Sequence, residues 1–480
     1  MATKTINCTR QARQYEPAGS QVYSNGNWGL IRHTSNANPF TSLSYYQQAG
    51  SAFTYTYDDT NGQGENVDMV FITSGMIYTD NAGYKTSGTS RIQQFDWRTL
   101  TDSPTSVNVD YSTSAARSSH SEAVVACACH NDYGAATAAN IYIIPRNQIT
   151  NSTHWWTLPK LFHQQKGNSN PTIVVNSFGG TTSIAFVQNI LFRGNTYRTM
   201  NGGNPFHKDA TSGRLAGTGF FVEQDPRLPR TTEDALIEEM TDAGVIHFMS
   251  AGNAAHKIDV SGGIDYDNKF LRYTNAQFTF LNRGSYVNED SIMVGNLNSW
   301  FNDGNTTVSD VSQQMKEVCP FPGELIFPSS NRGPRVDCYV AGTAIPLVIP
   351  NTSNHTTNSN ASATGTSYSC PTLAGLAAMV ASKYPTTTSA QMRKYLREIA
   401  VSSATMGNPD TPPTVSNGDY GDPDYMNHWA SQGSNLKITY IDPSLPYDPS
   451  GITDTTITYP KETLEAGTKK DTRSQTSSTY

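Results

Sequence analysis

Charge is scarce in this chain of 480 residues: Asp, Glu, Lys and Arg together make up 15%, and they leave a net charge of −7. No run of Lys or Arg interrupts the polar background, which argues against a nucleic-acid-binding surface. No apolar stretch approaches the length of about 18 residues that a membrane-crossing helix needs, so no span is expected. The opening segment Met1 to Cys8 has no apolar core of the kind a secretory signal carries, and the expectation is synthesis in a cytoplasm. The six cysteines, Cys8, Cys127, Cys129, Cys319, Cys338 and Cys370, are too sparse for a disulfide scaffold of this length. Cys127 and Cys129 stand two apart, a spacing that suits neither a zinc knuckle nor a redox pair, and they read as small apolar residues on a buried helix.

The chain is rich instead in uncharged polar residues, with 37 Gly and 25 Pro, a composition of long loops around an apolar framework. Short runs of β-formers flanked by polar residues mark strands at Val67–Ile72, Ile141–Ile144, Thr172–Val175, Val245–Met249 and Ser291–Val294. Helices are expected over Ser119–Cys129, over Thr231–Ala243 with acids in its first turn, over Pro371–Lys383 with proline in its first turn, and over Ser389–Ile399. Asp96 falls in a further expected strand. Strands alternating with helices imply an α/β fold with a mainly parallel central sheet and helices on both faces. Residues 1–24 read as a polar arm, 25–402 as the main domain with an insertion around 181–244, and 403–480 as a C-terminal extension and tail. The Asn/Thr/Ser run Asn351–Ser362 reads as a surface loop.

The segment carrying most chemistry is Gly365-Thr-Ser-Tyr-Ser-Cys-Pro-Thr-Leu-Ala-Gly375. A glycine turn there places Ser367 at the start of a small-residue helix, where the helix end favours negative charge and a backbone N–H can meet an oxyanion. Taken alone, the same pattern also describes a serine that caps a core helix. The full motif resembles the Gly-Thr-Ser-x-x-x-Pro-x-x-x-Gly nucleophile segment of the subtilases, and other segments similar to that family follow in the family's order. Ser119-His120-Ser-Glu-Ala-Val-Val-Ala126 resembles its histidine helix, with Ser121, Glu122 and Ala123 in place of the usual Gly-Thr-His. Val175-Asn-Ser-Phe-Gly-Gly180 resembles its substrate-pairing edge, Met249-Ser-Ala-Gly-Asn253 its oxyanion segment, and Phe327–Pro334 and Ala341-Gly342 two of its turns. Asn27-Trp-Gly-Leu30 looks like the start of its catalytic domain.

The resemblance implies a subtilisin-like three-layer sandwich and a serine endopeptidase site. Ser367 would be the nucleophile, His120 the general base and Asn253 the oxyanion donor. Ser177, Phe178, Gly179, Gly180, Ala251 and Gly252 would line the substrate. No cofactor is implied for the chemistry. Structural calcium is common in the family, but no acidic cluster here matches a ligand pattern, so metal sites stay unassigned.

One position departs from the family. Gly64-Glu-Asn-Val-Asp-Met-Val-Phe-Ile-Thr-Ser-Gly75 aligns without a gap to the strand that carries the triad acid, and the acid's place holds Thr73. An uncharged replacement in a related triad lowers turnover about 10,000-fold. Of the nearby carboxylates, Asp68 should point to the other face of the strand and Glu122 away from His120, while Asp80 and Asp96 are the remaining replacements to consider. A smaller resemblance, in Val67–Val70, Arg91–Trp97 and Phe192–Tyr197, is to subtilase-like domains of tailed-phage virion proteins. The few residues before Trp28 are too short for the folded propeptide of secreted subtilases.

Two readings follow. One is an impaired or inactive subtilase fold kept as a structural or binding module of a phage tail, with virion proteins or further copies of itself as partners. The other is a working endopeptidase that cleaves phage or host proteins through His120 and Ser367 with a non-standard acid.

Overall fold

In the strand Asp68–Thr73 every residue is buried, so both of its faces are covered. Met69 and Phe71 belong to one apolar cluster and Val70 and Ile72 to another, which is the period-two alternation of a strand between two helical layers. The first cluster takes in the helices Ser119–Cys129 and Thr366–Lys383. The second takes in Ser152–Gln165 and Thr231–Asp242. The computed structural model describes residues 3–9, 27–37, 52–58, 62–104, 107–112, 115–179, 187–192, 195–198, 231–253, 256–272, 278–298, 324–327, 329–343, 345–350, 358–406, 433–442 and 447–459.

Among the described residues the central sheet has nine strands. Seven run side by side from one edge in the order Asn140–Pro145, Asp68–Thr73, Thr172–Asn176, Ile246–Ser250, Ile292–Asn298, Cys338–Ala341 and Lys437–Thr439, all in parallel. Val401–Thr405 closes the far edge antiparallel, and the short strand Leu325–Ile326 pairs antiparallel with Ile292–Asn298. Together with the two helical layers this is the expected α/β sandwich. Residues 437–439 show that part of the segment beyond 403 is built into the sheet: Ile438 pairs with Tyr339. Residues 447–459 pack on as well, through the Gln391 amide donating to Ser450 O and Ile452 O, and Arg393 to the Tyr459 hydroxyl.

Several expected elements differ in detail. Asn358–Ala363 is a strand paired antiparallel with Ile345–Pro350, so the end of the polar run Asn351–Ser362 is not a loop but is fixed by a cross-strand partner that composition does not reveal, and 351–357 lie outside the described residues. Asp96 caps a short 3-10 turn, accepting from Arg98 N, and does not lie in a strand. The helix Ser152–Gln165 is absent from the sequence reading. Pro159 interrupts its pattern, while Trp155, Trp156, Leu158, Leu161 and Phe162 hold it to the sheet. The insertion contributes Val187–Phe192 and Asn195–Arg198 to a second, four-stranded sheet with Lys269–Arg272 and Phe278–Phe280. Cys127, Cys129, Cys338 and Cys370 are buried free thiols, and Cys127 and Cys129 lie on a buried helix as expected.

The histidine and serine helices lie against each other on one face of the sheet. A Cβ on Gly375 would stand 2.7 Å from the carbonyl oxygen of Ala128 and 3.1 Å from its Cα, so the absent side chain is what lets the two backbones approach.

Candidate functional site

The serine helix begins at Thr366, five residues before the start that the sequence indicates, which leaves Pro371 inside it. Proline has no N–H to give to the carbonyl four residues back, here that of Ser367. The hydroxyl of Ser177 supplies the missing donor at 2.9 Å. In return the Ser367 hydroxyl donates to the Ser177 carbonyl at 3.2 Å. A serine followed four residues later by proline therefore presents a backbone acceptor that the neighbouring edge segment must satisfy, and this fixes that segment beside Ser367.

Gly365 takes φ of 144°, in the region that favours glycine, and a Cβ there would press to 3.2 Å from the Asn253 amide nitrogen. Asn253 Oδ1 accepts from Thr366 N at 2.9 Å and from Thr366 Oγ1 at 3.0 Å. With its oxygen so engaged, the side chain turns its NH2 group, the donating end, toward the serine turn. Gly252 N donates to Thr366 Oγ1, and Gly252 O accepts from Asn331 N. Ala251 O accepts from the Asn331 amide. Ala251 and Gly252 thus use these backbone groups to hold the Asn253 turn. Phe178 and Gly179 are half-buried beside Ser177, and Gly180 lies outside the described residues.

His120 is the second residue of its helix, whose N-cap is Ser118. The strand end is tied to that helix start by hydroxyls: Ser74 Oγ lies 2.8 Å from Ser118 Oγ and 3.2 Å from Ser121 Oγ, and Gly75 N donates to Ser121 Oγ at 3.1 Å. The ring of Tyr368, next to Ser367 in sequence, lies 5.8 Å from the His120 ring between centroids. Thr73, in phase with Met69 and Phe71, stands on the face of the strand toward the histidine and serine helices. Its hydroxyl donates to Gly75 O at 2.9 Å. Among the described residues the His120 ring makes no hydrogen bond, to Thr73, to Ser367 or elsewhere.

None of the four nearby carboxylates takes the acid's place. Asp68, on the opposite phase of the strand, is buried against Lys166 at 2.7 Å. Glu122 turns away from the site and accepts from the Tyr78 backbone N–H. Asp80 pairs with Lys85 and Asp96 with Arg98 at the surface.

A cation lines the same cleft as Thr73 and His120. Arg146 directly follows the strand Asn140–Pro145, whose last residue is in register with Thr73, and its backbone N–H donates to Thr73 O at 2.9 Å. Thr73, Ser74, His120, Arg146, Ser177 and Phe178 line one small cleft with Ile72 and Val124 as its aliphatic wall. Burial first, and then the charge of Arg146, hold the proton affinity of His120 below that of an ordinary histidine, so the ring is neutral at neutral pH. The sequence reading missed Arg146, Tyr368 and Thr366. Arg146 had no signal in the sequence, because only the parallel pairing of its strand with the Thr73 strand brings it in.

A model of the subtilase family matches residues 38–423. The chain belongs to the subtilase family. Its architecture is the subtilisin-like serine protease fold. Among solved structures, a cold-adapted subtilisin-like serine proteinase is similar at 17% identity and a TM-score of 0.44, over 79% of this chain and 93% of that one. No curated protein sequence matches the chain.

As a subtilase it carries no recognisable metal site within view: among the described residues no group of three or more His, Cys, Asp or Glu side chains is placed to hold an ion. Buried acids are neutralised by the chain's own cations, Asp265 by Lys257 at 2.8 Å and Asp337 by Arg335, Arg393 and Arg397. No described helix is long and apolar enough to cross a membrane.

Proposed function

We propose that this subtilase is a disarmed member of its family, with peptidase activity lost or very weak, kept as a structural or polypeptide-binding module. The observation that carries this reading is the replacement behind His120. Thr73 spends its hydroxyl on Gly75 O, and the charge that bears on the ring is the guanidinium of Arg146. Acyl transfer at serine needs an imidazolium at the moment the hydroxyl loses its proton, and a carboxylate stabilises it. Here that cation would form in a partly desolvated cleft beside another cation, which raises the barrier beyond what loss of the acid alone does.

The setting proposed for it is a phage particle, in the tail region, made in a cytoplasm and assembled with virion proteins or with further copies of itself. The support is the smaller resemblance in Val67–Val70, Arg91–Trp97 and Phe192–Tyr197 and the uncharged-polar composition. The edge segment at Ser177–Gly179 is the part of the site that would take an extended polypeptide, as a strand added without cleavage.

A second reading, an active endopeptidase, draws on the Asn253 amide held by Thr366 beside the Ser367 turn, an arrangement suited to an oxyanion. A fluorophosphonate probe and an unfolded protein substrate separate the two. The disarmed reading expects no labelling of Ser367 and no turnover above that of Ser367→Ala. Turnover that vanishes in Ser367→Ala would establish the active reading in its place.

A further inference from the structure

Asp68 opens the strand that ends at Thr73, and Lys166 caps the C-terminus of the helix Ser152–Gln165. Their side chains pair out of reach of solvent, 0% and 3% exposed. Lys166 Nζ donates to Asp68 Oδ2 at 2.7 Å, to Thr172 Oγ1 at 2.8 Å and to the Asn170 carbonyl. The surface pairs Lys85–Asp80 and Lys160–Glu239 are as short, but their acids stand in water. What sets the buried pair apart is its surroundings. The second carboxylate oxygen, Oδ1, accepts from the amides of Asn140 at 2.8 Å and Asn170 at 3.4 Å. Fixed donors on that oxygen suit a carbonyl carbon that takes on a fourth bond. The Thr172 hydroxyl, having accepted from Lys166, turns its own proton to His163 Nδ1 at 2.9 Å. Burial first, and then the charge of Lys166, hold the proton affinity of His163 down, so the ring is neutral and can accept. Burial also lowers the proton affinity of Lys166, which brings its nucleophilic amine within reach. The Phe162 ring, its centroid 5.5 Å from Lys166 Nζ, closes the apolar side.

We propose that Lys166 and Asp68 condense to an intramolecular isopeptide bond, with Thr172 and His163 as the proton relay and the Asn140 and Asn170 amides as the oxyanion donors. The ammonium passes a proton through Thr172 to His163, and Nζ adds to Asp68 Cγ. Oδ1 carries negative charge in the tetrahedral intermediate, under the two amides. As the C=O bond re-forms, the Cγ–Oδ2 bond breaks, and Oδ2 leaves as water with one proton returned from His163 and one from Nζ. One ammonium and one carboxylate give one amide and one water, and His163 ends as it began. The bond ties the strand that carries Thr73 to the helical layer behind it, across 98 residues of chain. It stands apart from the chemistry at Ser367 and holds for either reading of that site.

The test is the intact mass of the full chain, purified folded and measured under denaturing conditions. A mass one water below that of the sequence is expected, and a protease digest should yield a branched peptide that joins the Asp68 and Lys166 segments. Lys166→Arg keeps the positive charge without the amine and should show the full sequence mass. His163→Gln, refolded from denaturant, should close the bond about 100-fold more slowly than the unmodified chain, the loss expected for a general base. Full sequence mass in the unmodified chain after long incubation in native buffer overturns the inference. A water loss that persists in Lys166→Arg, or one that yields no branched peptide, overturns it equally. An unchanged rate in His163→Gln overturns the relay. If Lys166→Arg fails to fold, the digest of the unmodified chain decides alone.

Discussion

Ser177 and Ser367 exchange hydrogen bonds, each hydroxyl donating to the other's carbonyl, at 2.9 Å from Ser177 and 3.2 Å from Ser367. The bond from Ser177 replaces the one that Pro371 cannot give. Ser177→Ala is expected to leave the Ser367 carbonyl without its donor and to lower stability by about 1–3 kcal/mol, measured by urea denaturation. An unchanged midpoint would mean that water satisfies that carbonyl.

Restoring the acid should restore chemistry, within limits set by Arg146. Thr73→Asp places a carboxylate on the strand face toward His120, but Arg146 competes for it. The double variant Thr73→Asp with Arg146→Met is therefore expected to label faster with a fluorophosphonate than Thr73→Asp alone. A full triad acid is worth about 10,000-fold in turnover in a related triad, and a gain of even a hundredth of that would register. If neither variant labels, the defect lies in how Ser367 and His120 are placed and not in the missing charge.

The helix crossing that brings His120 and Ser367 to one end of the sheet has no room at Gly375. Gly375→Val must push its side chain into the Ala128 backbone. It should cost about 1–3 kcal/mol from overpacking, seen as a lower denaturation midpoint. Gly451→Val, in an exposed 3-10 turn with open space around it and no positive φ, controls for the loss of a glycine as such.

Asp337 sits wholly buried among Arg393, Arg335 and Arg397. Burial alone would raise its carboxyl pKa, yet the three guanidiniums outweigh it and hold the group below the ordinary carboxylate range. A depressed folded value means that this stabilisation is present above the unfolded pKa of about 4 and is lost as pH falls through the folded one. Asp337→Asn should cost about 3–5 kcal/mol at neutral pH, because it leaves buried cations uncompensated. The variant should also show a shallower loss of stability toward acid than the unmodified chain.

Glu122 runs the other way. Burial pushes its carboxyl up to about 7, against the Tyr78 N–H bond and the charge of Arg117. With the folded value above the unfolded one, its contribution is full below pH 4.5 and is lost as pH rises toward 7. Glu122→Gln keeps an oxygen for Tyr78 N and removes the charge. Its stability relative to the unmodified chain should therefore improve from pH 4.5 to 7, by about 3 kcal/mol on the usual 1.4 kcal/mol per unit. Chemical denaturation at both ends of that window checks the sign. A difference that does not change with pH would place the group in water.

Much of the framework around the candidate site was readable because its signals are local. The histidine helix runs over Ser119–Cys129 as expected, since a capping serine and a run of small apolar residues mark both ends. Alternation along the strand put Asp68 and Thr73 on opposite faces, and the Asp68–Lys166 pair agrees. The strand Asn358–Ala363 and the sheet position of Lys437–Thr439 were not readable, because each depends on a partner strand remote in sequence.

By itself the sequence determined the order of the subtilase segments, the phase of the strand that ends at Thr73, and the absence of a carboxylate at that place. These follow from residue type and a two-residue period, which need no knowledge of distant neighbours. Only the tertiary structure decided which charge lines the cleft beside it. Parallel register set Pro145 beside Thr73 and so brought in Arg146, and packing on Phe178 and Trp155 fixed its guanidinium in the cleft. The charge behind His120 is settled by which strands are neighbours in the sheet, and no single segment of the chain encodes that.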